Sequence, residues 1–209
     1  KILIADIETR PILAWVWGIW KQNVGLNQIK EDLQIMTYAA KWLGSDEVIW
    51  DSAEKDETEE RIISTLWHLL DEADIVVAHN GARFDVPIIN SKFLEYKLPP
   101  PSPFKVVDTL KTLRANFRLT SNRLDYAARY MGFEGKLATG GMQLWLDCIA
   151  GKRKAWKKMV DYNIQDIIVL EDVYVEIRPW ITNHPNVGVY NDKVDTVCPK
   201  CESTDINYR

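Results

Sequence analysis

KILIADIETRP, residues 1–11, is the stretch on which the reading of this chain turns. Ile2, Leu3, Ile4, Ala5 and Ile7 form an almost unbroken apolar run, the pattern of a central strand covered on both faces. Side chains alternate across a strand, so Asp6 and Glu8 point the same way. Two carboxylates together at the end of a buried strand repel each other and lose hydration, a large cost unless something positive compensates. No Lys or Arg lies within the run from Ile2 to Glu8, and Lys1 stands at its start. Two readings stand: Asp6 ends the strand and Glu8 caps the next element, or the pair holds a divalent metal ion.

Working outward, AWVWGIW (14–20), IMTYAAKWLG (35–44) and VIW (48–50) read as further strands of an antiparallel meander. TEERIISTLWHLL (58–70) spaces its apolar residues as an amphipathic helix, and DIVVAHN (74–80) returns as a short strand. That crossover makes the fold mixed α/β. FDVPIINSKFLEYKL (84–98) predicts a helix with Pro87 in its first turn, KVVDTL (105–110) a last strand and TSNRLDYAARYMG (120–132) a helix ending at Gly132. KLATGG (136–141) reads as a flexible loop, and the rest as helix until Pro179. The expected organisation is one domain over 1–180 and a tail over 181–209 laid outside the core.

With 209 residues, 46% hydrophobic and 27% charged, the chain has room for one sizeable core. A net charge of -4 excludes a globally basic nucleic-acid binder, so a basic footprint must be local. Three Cys give no disulfide framework, which points to a reducing, cytoplasmic setting. No run approaches the roughly 18 apolar residues of a membrane span.

Acids interrupt the apolar pattern at two more places. Asp85, in AHNGARFD, sits between a buried strand and the next helix, beside Asn80 and Gly81; Tyr162 and Asp166, in KKMVDYNIQDIIVLEDVY, break an apolar helical stripe. In order, D-x-E, N-x-x-x-F-D and Y-x-x-x-D resemble the three motifs of the DEDD 3′-5′ exonucleases, with the Tyr marking the DEDDy branch. The resemblance covers residues 1–178. VVDTL, WLDCIAGKRKAW and VEIRPW are also similar to bacteriophage members of an RNase H-like fold, which implies a phage or prophage source and, with it, the host cytoplasm. It implies a mixed central sheet flanked by helices, and two Mg²⁺ or Mn²⁺ ions held by carboxylates. Asp6 would bridge both ions, Glu8 and Asp166 would hold the one that activates water, Asp85 would support the second, and Tyr162 would orient the water. Thr9 would offer its backbone to the terminal nucleotide, with Asn80 behind the ligands. The expected substrate is a single-stranded or frayed 3′ end of DNA, with RNA open, cut to nucleoside 5′-monophosphates.

Other residues carry weaker signals. Trp15 and Trp17 come directly after the acidic strand and could flank a terminal base, whereas Trp50, Trp67 and Trp145 read as core. GKRKAWKK (151–158), with Lys152, Arg153 and Lys154, is either a solvated helix start or a phosphate-tracking patch. Asp108 reads as a helix cap and His79 as a structural hydrogen-bonder. Cys198 and Cys201 have the spacing of half a zinc ribbon, and the phage relatives imply a second Cys pair and a Zn²⁺ in a longer form of the chain. Three rivals to the exonuclease reading remain: an RNase H-like endonuclease, a 3′-5′ exoribonuclease and a binding module with a decayed site. A haloacid-dehalogenase-like phosphatase needs Asp where Glu8 stands.

Overall fold

The computed structural model describes residues 1–54, 59–137, 139–190, 197–201 and 203–206. Its centre is β1 (Ile2–Arg10), apolar because both its edges and both its faces are occupied. On one edge β4 (Gln34–Trp42) pairs antiparallel with it and carries β5 (Ile49–Ser52) in turn. On the other, β6 (Ile75–Ala78) pairs parallel with Ile2–Ile4 and carries β7 (Lys105–Asp108). The sheet order is therefore β5-β4-β1-β6-β7, mixed as expected.

Alternation along β1 sorts the two layers. Leu3, Ala5 and Ile7 pack with Ile62, Ile63, Leu66, Leu69 and Leu70 of α1 (Glu60–Glu72) and with Ile89 and Phe93 of α2 (Asp85–Glu95). Ile4 packs on the opposite face with α4 (Leu124–Tyr130) and the long α6 (Arg153–Ile177), through Ala127, Ala128, Ile167, Leu170, Val173 and Tyr174. Asp6 and Glu8 share the phase of Ile4, so they face α6. Glu59, buried just before α1, forms an ion pair with Lys92 of α2 and accepts the amide of Ile35, tying both helices to the sheet. α3 (Thr109–Asn116) begins directly after β7, and α5 (Met142–Ile149) is separated from α6 by Gly151, whose φ of 74° stops the helix.

Three expectations are corrected. AWVWGIW is not a strand of the main sheet: only Leu13–Ala14 (β2) is extended, paired with β3 (Ile29–Glu31) in a separate ribbon, because both edges of β1 are already taken. Trp50 is half exposed rather than core, and Trp67 and Trp145 are half-buried, with their indole N–H groups donated to Pro99 O and Thr9 O. Beyond residue 180 the chain does not lie wholly outside the core, since Ile181 and Val187 pack into the α6 layer. Thr58, the expected start of α1, falls outside the described residues. Among the described residues no helix is long and apolar enough to cross a membrane.

Candidate active site

The site lies at the carboxyl ends of β1 and β6, where an open α/β sheet leaves a crevice for ligands. β6 stops pairing with β1 at Ile4, which frees the amide of Ile7; the carboxylate of Asp85 takes it, Ile7 N donating to Oδ1 at 3.2 Å. Asp85 reaches that position because the chain turns tightly from β6 into α2. Asn80 adopts φ 70°, its N–H donates to Asp108 Oδ1 at 3.0 Å, and a Cβ on Gly81 would stand 2.3 Å from the Cβ of Ala78. Asp108 also caps α3 through the N–H of Lys111, the role expected of it.

From α6, Asp166 projects to β1. Carboxylate oxygens of Asp6, Glu8 and Asp166 all lie within 4.8 Å of one another, the one such cluster among the described residues. Asp85 is next to this trio but turned to the Ile7 amide. Asn163, fully buried one turn before Ile167, donates from Nδ2 to Asp6 Oδ2 at 2.8 Å and fixes its orientation. Asp166 is 1% exposed, and its Oδ1 is buried without a donor. Such an orphaned oxygen, in a set of carboxylates without His or Cys, fits a hard divalent cation.

The first strand offers its acids no cation, but the tertiary structure supplies one to the cluster, Lys136. From the loop before α5 its ammonium forms an ion pair with Asp166, and it donates to the Tyr162 hydroxyl at 3.3 Å. Nothing near Lys136 in sequence marks it; the contact spans 30 residues and arises only when the loop folds over α6. Asn163 was missed for a similar reason, since an Asn between Tyr162 and Asp166 carries no pattern of its own.

Burial and mutual repulsion hold the acids' protons. Burial first, then Asp85, Glu8 and Asp166, push Asp6 well above the usual carboxylate range. Burial and the charge of Asp166 push Glu8 up to about 8, and burial raises Asp85 to about 6 against the opposing Ile7 hydrogen bond. Asp166 is raised by burial and held back by Lys136. Tyr162 is raised by burial and by Asp166, so it stays a neutral hydroxyl at neutral pH. His79, half-buried, bonds Thr109 Oγ1 through Nδ1 at 2.9 Å, and burial lowers it to about 4.

The remaining candidates are spread around this centre. Thr9 O accepts the Trp145 indole at 3.1 Å. Trp15 is 70% and Trp17 99% exposed. Lys152 forms an ion pair with Asp147, while Arg153 and Lys154 line a cavity with Trp50 and Trp156 that contains none of the four acids. The Cys198 thiol is pulled below its ordinary value by the N–H groups of Lys200 and Cys201, but no third His or Cys joins the pair among the described residues.

A five-stranded mixed sheet thus carries, at the carboxyl end of its central strand and against α6, an oxygen-only acid cluster. Residues 23–178 match the RNase_H superfamily, and the chain belongs to it. That span contains Asp85, Tyr162 and Asp166 but begins after Asp6 and Glu8, which tertiary structure brings to them. Among solved structures, a family B DNA polymerase from the hyperthermophilic archaeon Pyrobaculum calidifontis is similar, with a TM-score of 0.56 and 17% identity over 83% of this chain. The match covers 24% of that polymerase chain, so the likeness is one of fold. No curated protein matches.

Proposed function

We propose that this chain is a metal-dependent 3′-5′ exonuclease of the DEDDy type, acting on single-stranded or frayed DNA ends and releasing nucleoside 5′-monophosphates. The observation that carries this is the trio of half-buried Asp6 and Glu8 with buried Asp166, set against Tyr162 with one Asp166 oxygen unpartnered. Asp6, Glu8 and Asp166 would hold Mg²⁺ or Mn²⁺, with Asp85 supporting a second ion. Bound divalent cations supply the charge that makes water a nucleophile at neutral pH and offsets the negative charge growing on the transferring phosphate.

The chain's own residues set the geometry. Asn163 keeps Asp6 in one rotamer. Tyr162, one helical turn before Asp166, presents a hydroxyl that can orient an attacking water; burial and Asp166 raise its pKa, which keeps it protonated at neutral pH and makes it a poor base. Water adds its oxygen to phosphorus as the P–O3′ bond breaks, and the departing 3′ oxygen takes up a proton. Thr9 and Asn80 would border the terminal nucleotide, and the exposed Trp15 and Trp17 would stack on a neighbouring base, which is worth about 1–3 kcal/mol per base. Lys152, Arg153 and Lys154 would add charge at a greater remove. The Cys198–Cys201 pair would supply half of a zinc site completed by two ligands from elsewhere.

The test is a 5′-labelled single strand of DNA, and of RNA, incubated with Mg²⁺ or Mn²⁺. A ladder shortening from the 3′ end is expected with the wild type and none with Asp6→Asn. Cleavage of a circular strand would move the reading to an endonuclease, and a ladder on RNA alone to an exoribonuclease. Full activity in EDTA would sink the metal assignment.

A further inference from the structure

Beside the acid cluster lies a cavity of about 600 Å³ whose walls include His79, Arg114, Asn122, Arg123, Lys136 and Tyr162. None of the four acids lines it, but Lys136 on its wall is paired with Asp166 and bonded to the Tyr162 hydroxyl, so the cavity adjoins the acid cluster through these two side chains. Arg114 and Arg123 are exposed, and neither guanidinium has an ion-pair or hydrogen-bond partner among the described residues. They belong to a wider asymmetry. From Thr109 to Leu124 the chain carries Lys111, Arg114, Arg118 and Arg123 and no acid, in a protein whose net charge is -4. All four are exposed. Lys111 and Arg114, three residues apart on α3, share one helical face.

We propose that this cavity holds the sugar-phosphate backbone of a single strand next to its reacting end, with the guanidinium groups of Arg114 and Arg123 on its phosphates. This rests on the nuclease reading and specifies how that site would grip its substrate. An Arg fork matches phosphate oxygens in pairs, and unpaired guanidiniums need no internal salt bridge broken before they bind. Lys152 and Lys157, by contrast, are already paired with Asp147 and Asp161. Of the four cations only Arg114 and Arg123 line the cavity, and its one carboxylate, Asp125, is already paired with Arg129; two guanidiniums on separate elements suit two successive phosphates of a strand.

The experiment is a binding titration in EDTA, where no cleavage occurs, using a fluorescein-labelled oligothymidylate over a range of salt. Each phosphate contact on a single strand contributes about -0.7 to the slope of log K against log salt. Arg114→Gln with Arg123→Gln is expected to make that slope shallower by about 1.4, and the double Lys variant to restore it, since Lys keeps the charge. A slope unchanged in the Gln variant overturns the proposal, as does a wild type that binds no oligonucleotide. A slope that falls only when Lys152, Arg153 and Lys154 are neutralised overturns it too, and places the strand on the other cavity. The nuclease reading fails separately: a wild type that binds through Arg114 and Arg123 yet makes no ladder would refute the exonuclease and leave the strand site standing.

Discussion

Lys136 is the residue that changes the electrostatics of the site. It offsets the charge of Asp166, a group 1% exposed, and it steadies the Tyr162 hydroxyl. Removing one partner of a buried ion pair costs about 3–5 kcal/mol, and Lys136 is only partly buried, so Lys136→Met is expected to destabilise the metal-free protein by about 1–3 kcal/mol. Mg²⁺ or Mn²⁺ should then stabilise the variant more than the wild type, because added cations would replace the lost charge. Melting temperatures with and without the ions measure both; equal values in EDTA would show that the contact contributes nothing. Tyr162→Phe removes the hydroxyl and keeps the ring. It should lower turnover by about 10 to 10³-fold, the scale of a misplaced reactant, with little change in oligonucleotide affinity. Unchanged turnover would leave Tyr162 a packing residue.

At the scale of elements, the site depends on where strands stop. β6 pairs with only Ile2–Ile4 of β1, and the Asp85 carboxylate fills the gap at Ile7. The turn that delivers it has no room for a side chain at Gly81, whose Cβ would meet Ala78 at 2.3 Å and Asp85 Oδ2 at 3.4 Å. Gly81→Ala is therefore expected to cost about 1–3 kcal/mol, the range for overpacking, and to lower the cleavage rate by displacing Asp85. Urea denaturation measures the first effect and the ladder assay the second. A variant as stable as the wild type would mean that the turn opens freely. The Trp-rich segment after β1 shows the converse: Trp15 and Trp17 alternate as a strand would, but both edges of β1 are already taken by β4 and β6.

For the whole molecule, clustered acids set a pH dependence. Glu8 takes its proton near pH 8 in the folded chain against 4.5 in the unfolded one, and Asp85 near 6 against 3.8. Between those values the native state binds more protons than the unfolded state, so stability falls as pH rises through that window. The metal-free protein should melt at progressively lower temperature from about pH 4.5 to about pH 8. Saturating Mg²⁺ or Mn²⁺ at the upper end should recover about 2.7 kcal/mol at a hundredfold excess over Kd. Asp6→Asn, which keeps an oxygen acceptor for Asn163, should flatten the profile. A metal-free profile that rises with pH would show that these acids do not titrate as a buried cluster.

The sequence by itself determined the parts of this protein written in local pattern. The apolar run of β1 set its central place, the phase of Asp6 and Glu8 set their common face, and helical spacing put Tyr162 and Asp166 one turn apart on α6. Those are regularities of one or two elements, and the chain records them directly. Tertiary structure alone decided which strand neighbours which, so AWVWGIW, patterned as a strand, lost its place to β4. It alone brought Lys136 to Asp166 and gathered Arg114 and Arg123 on the cavity wall beside Tyr162. The reason is physical: periodicity reports which face of an element avoids water, whereas a pairing of charges across 30 residues depends on the paths of the loops between them, and loops carry no period.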